Sequence, residues 1–172
     1  RLKIQYGTSL VYPVSSMGAH VSAIPNHQVF RNTSLETRAN VAYFGTFGYE
    51  LDLNKLNDDE KKKIVEQITF MKEYREIIQF GTFYRLLSPF DGNGNETAWM
   101  VVSKDQKTAI VGYYRILLEV NQGYRRLRLQ GLNPDYCYHV SRLESDHFGD
   151  ELMNVGLINS DHSCGENHEV YD

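Results

Sequence analysis

The stretch MGAHVSAIPNHQ, residues 17–28, decides how the rest of the sequence is read. Its first seven residues are mostly apolar, lack a helical period and run directly into Pro25, Asn26 and His27. Such a run predicts a buried strand that delivers imidazole, hydroxyl and amide groups to its carboxyl end. In an α/β barrel the carboxyl ends of the strands form the rim where substrates sit. If the even positions face a barrel lumen, His20 and Ser22 lie in its layers, with Ser22 nearer the mouth. His20 then reads as a hydrogen-bonded core histidine. His27, between Asn26 and Gln28, has two readings: it fixes the loop through a carbonyl, or it belongs to a site at the strand end.

Working outward, the segments before Gly81 carry helical signals and those after it carry short β-rich runs. Residues 2–12 read as a helix end closed by Pro13. Thr33-x-x-Glu36 reads as a capping box, followed by a helix with Leu35, Ala39, Ala42 and Tyr43 on one face. Gly45 and Gly48 interrupt it. A second box, Asn57 with Glu60, opens the clearest helix, whose stripe is Ile64, Ile68, Met71, Arg75 and Ile78, widened by Val65, Tyr74 and Ile77. From Thr82 the period becomes two, with strands expected at 83–87, 98–102, 109–118, 125–129 and 136–140. Asp91-Gly92-Asn93-Gly94-Asn95 and the turn at Lys104-Asp105 link the first three. Five short strands separated by turns predict an antiparallel sandwich.

Composition narrows the function classes. The 172 residues are 41% hydrophobic and 23% charged, with a net charge of −4. That is an ordinary folded composition, with no electrostatic reason to expect nucleic acid or an anionic membrane as partner. The basic runs at 61–63 and 125–128 read as solvated faces. Cys137 and Cys164 are far apart without CxxC spacing, so neither zinc nor a disulfide framework is indicated, and a reducing, cytoplasmic setting is expected. No run is long and apolar enough to cross a bilayer. The opening Arg-Leu-Lys-Ile-Gln-Tyr reads as the inside of an amphipathic helix, so a longer parent chain is expected.

Hydrolysis of a glycosidic bond would use paired carboxylates. The candidates are Glu36, Glu50, Asp52, Asp91, Asp146, Asp150 and Glu151. Glu36 is better placed as a cap and Asp91 as a turn residue. Glu50 and Asp52, straddling Leu51, read as an exposed edge or a supporting pair. None follows the 17–23 strand, so no acid and nucleophile are expected within these residues. Trp99 reads as core packing, with a sugar-stacking platform as the sharper alternative, open also to Tyr113, Tyr114 and Tyr124. No phosphate loop, nucleophile elbow or HExxH is present.

The chain resembles the C-terminal part of the family-36 glycoside hydrolases, the large microbial α-galactosidases. The matching stretches are IQYGTSLVYP (4–13), MGAHVS (17–22), PNHQ (25–28), LETR (35–38), FGYELDL (47–53), FYRLLSPF (83–90), AWMVVS (98–103), GLNPD (131–135) and GDELMNVGL (149–157). Val29, Phe30 and the tail from Asn159 depart from the pattern. The resemblance implies an α+β fragment: residues 1–80 as the end of a (β/α)8 barrel, with its last strand and helices, and residues 81–172 as a C-terminal antiparallel β-sandwich. It implies retaining hydrolysis of terminal α-galactosides without metal or redox cofactor, by two aspartates that lie upstream of Arg1. Rim candidates here are Ser22, Asn26, His27 and His20. The expected partner is a galactoside oligosaccharide, with homo-oligomers of the parent. The alternatives are a carbohydrate-binding or oligomerisation module, and an α-N-acetylgalactosaminidase of the same fold.

Overall fold

The computed structural model describes residues 1–26, 30–117 and 123–159. The chain folds as two compact units, Arg1–Phe80 and Gly81–Asp172.

The first unit runs α1 (Leu2–Thr8), a 3-10 turn (Val14–Ser16), β1 (Gly18–Ser22), α2 (Leu35–Ala42), β2 (Thr46–Glu50), a second 3-10 turn (Leu53–Lys55) and α3 (Asp58–Phe80). The expected strand is there as β1. The expectation of a lone strand in this part is corrected, because β2 pairs with β1 in parallel, from Gly18↔Thr46 to Ser22↔Glu50. The two glycines that read as helix interruptions concealed β2, yet they are what lets it approach. A Cβ on Gly45 would lie 2.6 Å from the Ala19 Cβ and 2.8 Å from the Met17 carbonyl oxygen, and one on Gly48 would lie 3.3 Å from the His20 ring. The helix α2 supplies the crossover that a parallel pair requires.

Burial follows the pleat. Ala19 and Val21 are buried, whereas Gly18 and His20 are exposed. On the buried side, Tyr43 stacks on Phe47 at 5.0 Å between ring centroids, Phe70 lies 4.7 Å from Tyr43, and Tyr74 lies 4.8 Å from Phe70. Leu35, Ala39, Ala42 and Tyr43 are all buried, as the spacing predicts. The cap of α2 sits one residue later than expected: Ser34 Oγ accepts from the Thr37 N–H at 3.0 Å, and Glu36 instead pairs with Lys63 of α3 at 2.7 Å. The α3 box forms as read, with Glu60 N–H donating to Asn57 Oδ1 (2.8 Å) and Asn57 N–H to Glu60 Oε2 (3.0 Å). Ile64, Met71 and Ile78 are buried, but Val65 points to solvent and Gln67 takes a buried place in the stripe. Within α1, Gln5 Nε2 donates to the carbonyls of Val41 (3.0 Å) and Phe44 (2.7 Å), which satisfies backbone acceptors around the end of α2.

The second unit is β-rich. The strands β3 (Thr82–Leu87), β4 (Glu96–Val102) and β5 (Ala109–Arg115) form an antiparallel sheet in that order. The strand β6 (Arg125–Leu127) pairs with β9 (Leu157–Asn159), β7 (Cys137–Val140) pairs with β8 (Ser145–Phe148), and α4 (Gly149–Asn154) lies between β8 and β9. Each of the five expected strands overlaps an observed one. The third ends at Arg115, and Leu118 lies outside the described residues. The fourth stops at Leu127 because the Leu129 N–H turns to the Leu152 carbonyl at 3.0 Å, although Leu129 stays buried. Unexpected elements are the polar β8 and the short α4 and β9. Ala98, Met100 and Val102 of β4 pack with Tyr113, Leu127, Leu129, Leu132 and Leu152. On the other face of β4, Trp99 is 1% exposed and its ring lies 4.8 Å from that of Tyr114.

Gly131 has φ +72, and a Cβ there would lie 2.3 Å from the Tyr84 ring. Gly131→Ala therefore combines backbone strain with overpacking, and a loss of about 2–4 kcal/mol is expected. Thermal unfolding of the variant beside the unaltered chain measures it.

Candidate functional site

Because β1 and β2 run parallel and in register, their carboxyl ends coincide. The open face of the pair carries Gly18, His20 and Ser22 from β1 and Thr46, Gly48 and Glu50 from β2. His20 is exposed within this chain, where nothing described covers the even side of the sheet. Its ring lies over two glycines, with Cε1 3.7 Å from the place of a Gly18 Cβ and Cδ2 3.3 Å from that of Gly48. Ser22 is half-buried at the end of β1, opposite Glu50. Beyond the strand, the Asn26 N–H donates to the Arg31 carbonyl (3.0 Å) and the Phe30 N–H to the Asn26 carbonyl (2.8 Å), closing the stem of the loop. Phe30 has φ 51 and its side chain is exposed, so no neighbour resists its bulk. His27, Gln28 and Val29 lie outside the described residues.

Arginines cover the outer edge of β1. Residues 17 and 23 bond to β2, through Met17 O with the Thr46 N–H (2.7 Å) and the Ala23 N–H with Glu50 O (3.1 Å). By the alternation of a parallel ladder the carbonyls of His20 and Ser22 point the other way, where they accept from the guanidinium groups of Arg1 and Arg38. Burial lowers the Arg1 side-chain pKa, and the negative charge of Glu50 opposes that shift. Burial likewise lowers Arg38, opposed by Glu60.

The carboxylates weighed from sequence sort by what they touch. Glu36 is ion-paired and Asp52 accepts from the Asn54 N–H at 3.0 Å. Asp146 lies 2.8 Å from His139 Nδ1 and Glu151 lies 2.9 Å from His147 Nδ1, while Asp150 accepts from the Glu151 N–H at 2.7 Å. None of these contacts forms a carboxylate pair across a cleft. Glu50 is exposed at the end of β2, a strand that the sequence reading missed. The signal was present in Thr46-Phe-Gly-Tyr-Glu50, where aromatic residues alternate with small or polar ones at period two. Among the described residues, no three His, Cys, Asp or Glu side chains converge as a metal site, and no helix is long and apolar enough to cross a membrane.

Family models decide the relationship. Residues 1–81 match the Melibiase model, and residues 96–168 match the Glycosyl hydrolase family 36 C-terminal domain. The chain belongs to glycoside hydrolase family 36. This family-36 chain is 57% identical over 157 residues to alpha-galactosidase AgaA of Geobacillus stearothermophilus, covering 91% of the chain and 21% of that protein. It is 46% identical to alpha-galactosidase Mel36A of Lactobacillus acidophilus, again over 91% of the chain and 21% of the relative. It thus spans about a fifth of the length of these relatives. The crystal structure of AgaA superposes with a TM-score of 0.88 at 56% identity, covering 92% of the chain and 22% of AgaA. The Lactobacillus brevis α-galactosidase superposes at 0.91 and 46% identity, covering 98% and 23%. Variants of AgaA have been crystallised with raffinose and with stachyose.

Tyr49 anchors β2 from behind the open face. Its hydroxyl donates to Gln67 Oε1 at 2.8 Å, and burial pushes its pKa up to about 12. The folded state therefore favours the neutral phenol. That contribution to stability is complete below pH 10 and is lost as pH rises from about 10 to about 12. Tyr49→Phe should remove one late phenolate step near pH 12 from the absorbance titration at 295 nm. It should also cost about 1–2 kcal/mol, because the buried Gln67 loses its donor.

Proposed function

We propose that this chain forms part of a retaining α-galactosidase that removes terminal α-D-galactosyl residues from oligosaccharides such as melibiose and raffinose. The observation that carries the reading is the 57% identity to AgaA across nine-tenths of the chain. The raffinose and stachyose complexes of AgaA variants support an oligosaccharide as the partner. In this reading β1 and β2 are consecutive strands of a (β/α)8 barrel, with α2 and α3 on its outside. Residues 1–80 are the barrel end and residues 81–172 a C-terminal β-sandwich. The parallel pair and the layer of apolar side chains on β4 support that division. With β2 following β1, the last barrel strand is β2 rather than β1.

Retention needs two carboxyl groups roughly 5 Å apart, one to capture the sugar covalently and one to shuttle the proton. In this reading both belong to other segments of the parent enzyme. This chain supplies a wall: Ser22, Asn26 and His27 shape the rim, and His20 fills the layer beneath it. No cofactor enters this chemistry. A cytoplasmic location is part of the proposal, supported by an exposed free thiol at Cys137. So is a homo-oligomeric parent, supported by exposed apolar side chains such as Ile4, Leu10 and Val11. The reading as a sugar-binding module loses its tryptophan platform, because Trp99 is buried.

The full-length enzyme should hydrolyse nitrophenyl α-galactoside and release α-galactose first, as followed by proton NMR of the anomeric signal. The present chain alone should show no turnover, and activity traced to it would refute the assignment. In the full-length enzyme His27→Ala should lower kcat/KM or the unfolding temperature; no change in either removes His27 from the rim.

A further inference from the structure

The α-galactosidase reading is the basis here, and within it we propose that Glu50 contacts the substrate, as an anionic acceptor for one hydroxyl of the bound sugar. Glu50 is the last residue of β2, in register with Ser22 at the end of β1. Its carbonyl still accepts from the Ala23 N–H at 3.1 Å, so the strand is paired through this position and the pleat sets the side-chain direction. The carboxylate therefore emerges on the His20 and Ser22 face at the carboxyl end of two parallel strands, where barrels place the groups that meet substrate. It is exposed, and its neighbours on that face, Gly48 and Thr46, are small. Arg1 is close enough for Glu50 to influence its titration, which gives the carboxylate a cationic neighbour.

The chemistry fits a sugar. An ionised carboxylate only accepts hydrogen bonds, and a hexoside offers a ring of hydroxyl donors. The nucleophile and the proton donor belong to segments outside this chain, so a third rim carboxylate acts by holding the sugar and not by bond-making.

The test compares the full-length enzyme with its Glu50→Ala variant, using nitrophenyl α-galactoside and its monodeoxy analogues. The variant should lose about 10- to 100-fold in kcat/KM on the full glycoside, as for a hydrogen bond to a charged group. For one deoxy position, the losses from variant and analogue should fail to add, which a merely structural residue would not produce. Losses that add at every position, or an unchanged kcat/KM, overturn the proposal. If Glu50→Ala does not fold, the same cycle run on Glu50→Gln decides by the same criterion. A full-length wild type without galactosidase activity removes the α-galactosidase reading, and this proposal with it.

Discussion

The parallel register between Gly18–Ser22 and Thr46–Glu50 is the constraint on which the first unit depends. Five residues of strand cannot satisfy their backbone groups alone, and a parallel neighbour comes only through a crossover. The crossover here is α2, and its close seating is permitted by Gly45, where any side chain would strike Ala19 and the Met17 carbonyl. Once the register is set, the pleat leaves no freedom. Odd positions enter the core, and even positions, with their imidazole, hydroxyl and carboxylate, share one face.

The buried side shows how that register is held. Phe47, Tyr43, Phe70 and Tyr74 form a chain of ring contacts from β2 through the end of α2 to α3. Such contacts bury large apolar areas and add a geometric preference of their own. Two polar side chains sit within the packing, each with work to do. Gln5 takes two carbonyls around the end of α2, and Gln67 receives the Tyr49 hydroxyl. All three bonds answer the rule that a buried polar group must find a partner.

In the second unit the same economy appears in the turns. Between β4 and β5, Ser103 Oγ accepts from the Thr108 N–H at 3.0 Å, and Asp105 accepts from the Lys107 N–H at 3.1 Å. Gly92 and Gly94 take positive φ in the turn between β3 and β4. Local turn chemistry of this kind sets hairpin register without help from distant residues. That is why this sheet was legible from spacing, whereas β9 was not. It is three residues long and pairs with β6 far away in sequence, so no period marks it.

By itself the sequence determined what depends on neighbours along the chain. The box at Asn57 and Glu60, the apolar faces of α2 and α3, the β1 run and the hairpin turns all follow from interactions within a few residues. So did the family, through motifs kept in order. Tertiary structure decided what depends on residues brought from afar. It made Thr46–Glu50 a strand by giving it β1 to pair with, and it put Gln67 inside and Val65 outside. It also moved the α2 cap to Ser34 and set Glu50 beside Ser22 at the carboxyl ends of β2 and β1. The physical reason is that in a short glycine-containing segment such as Thr46–Glu50 a period of two is too brief to outweigh the neighbouring helical signals, and pairing and burial choose its conformation.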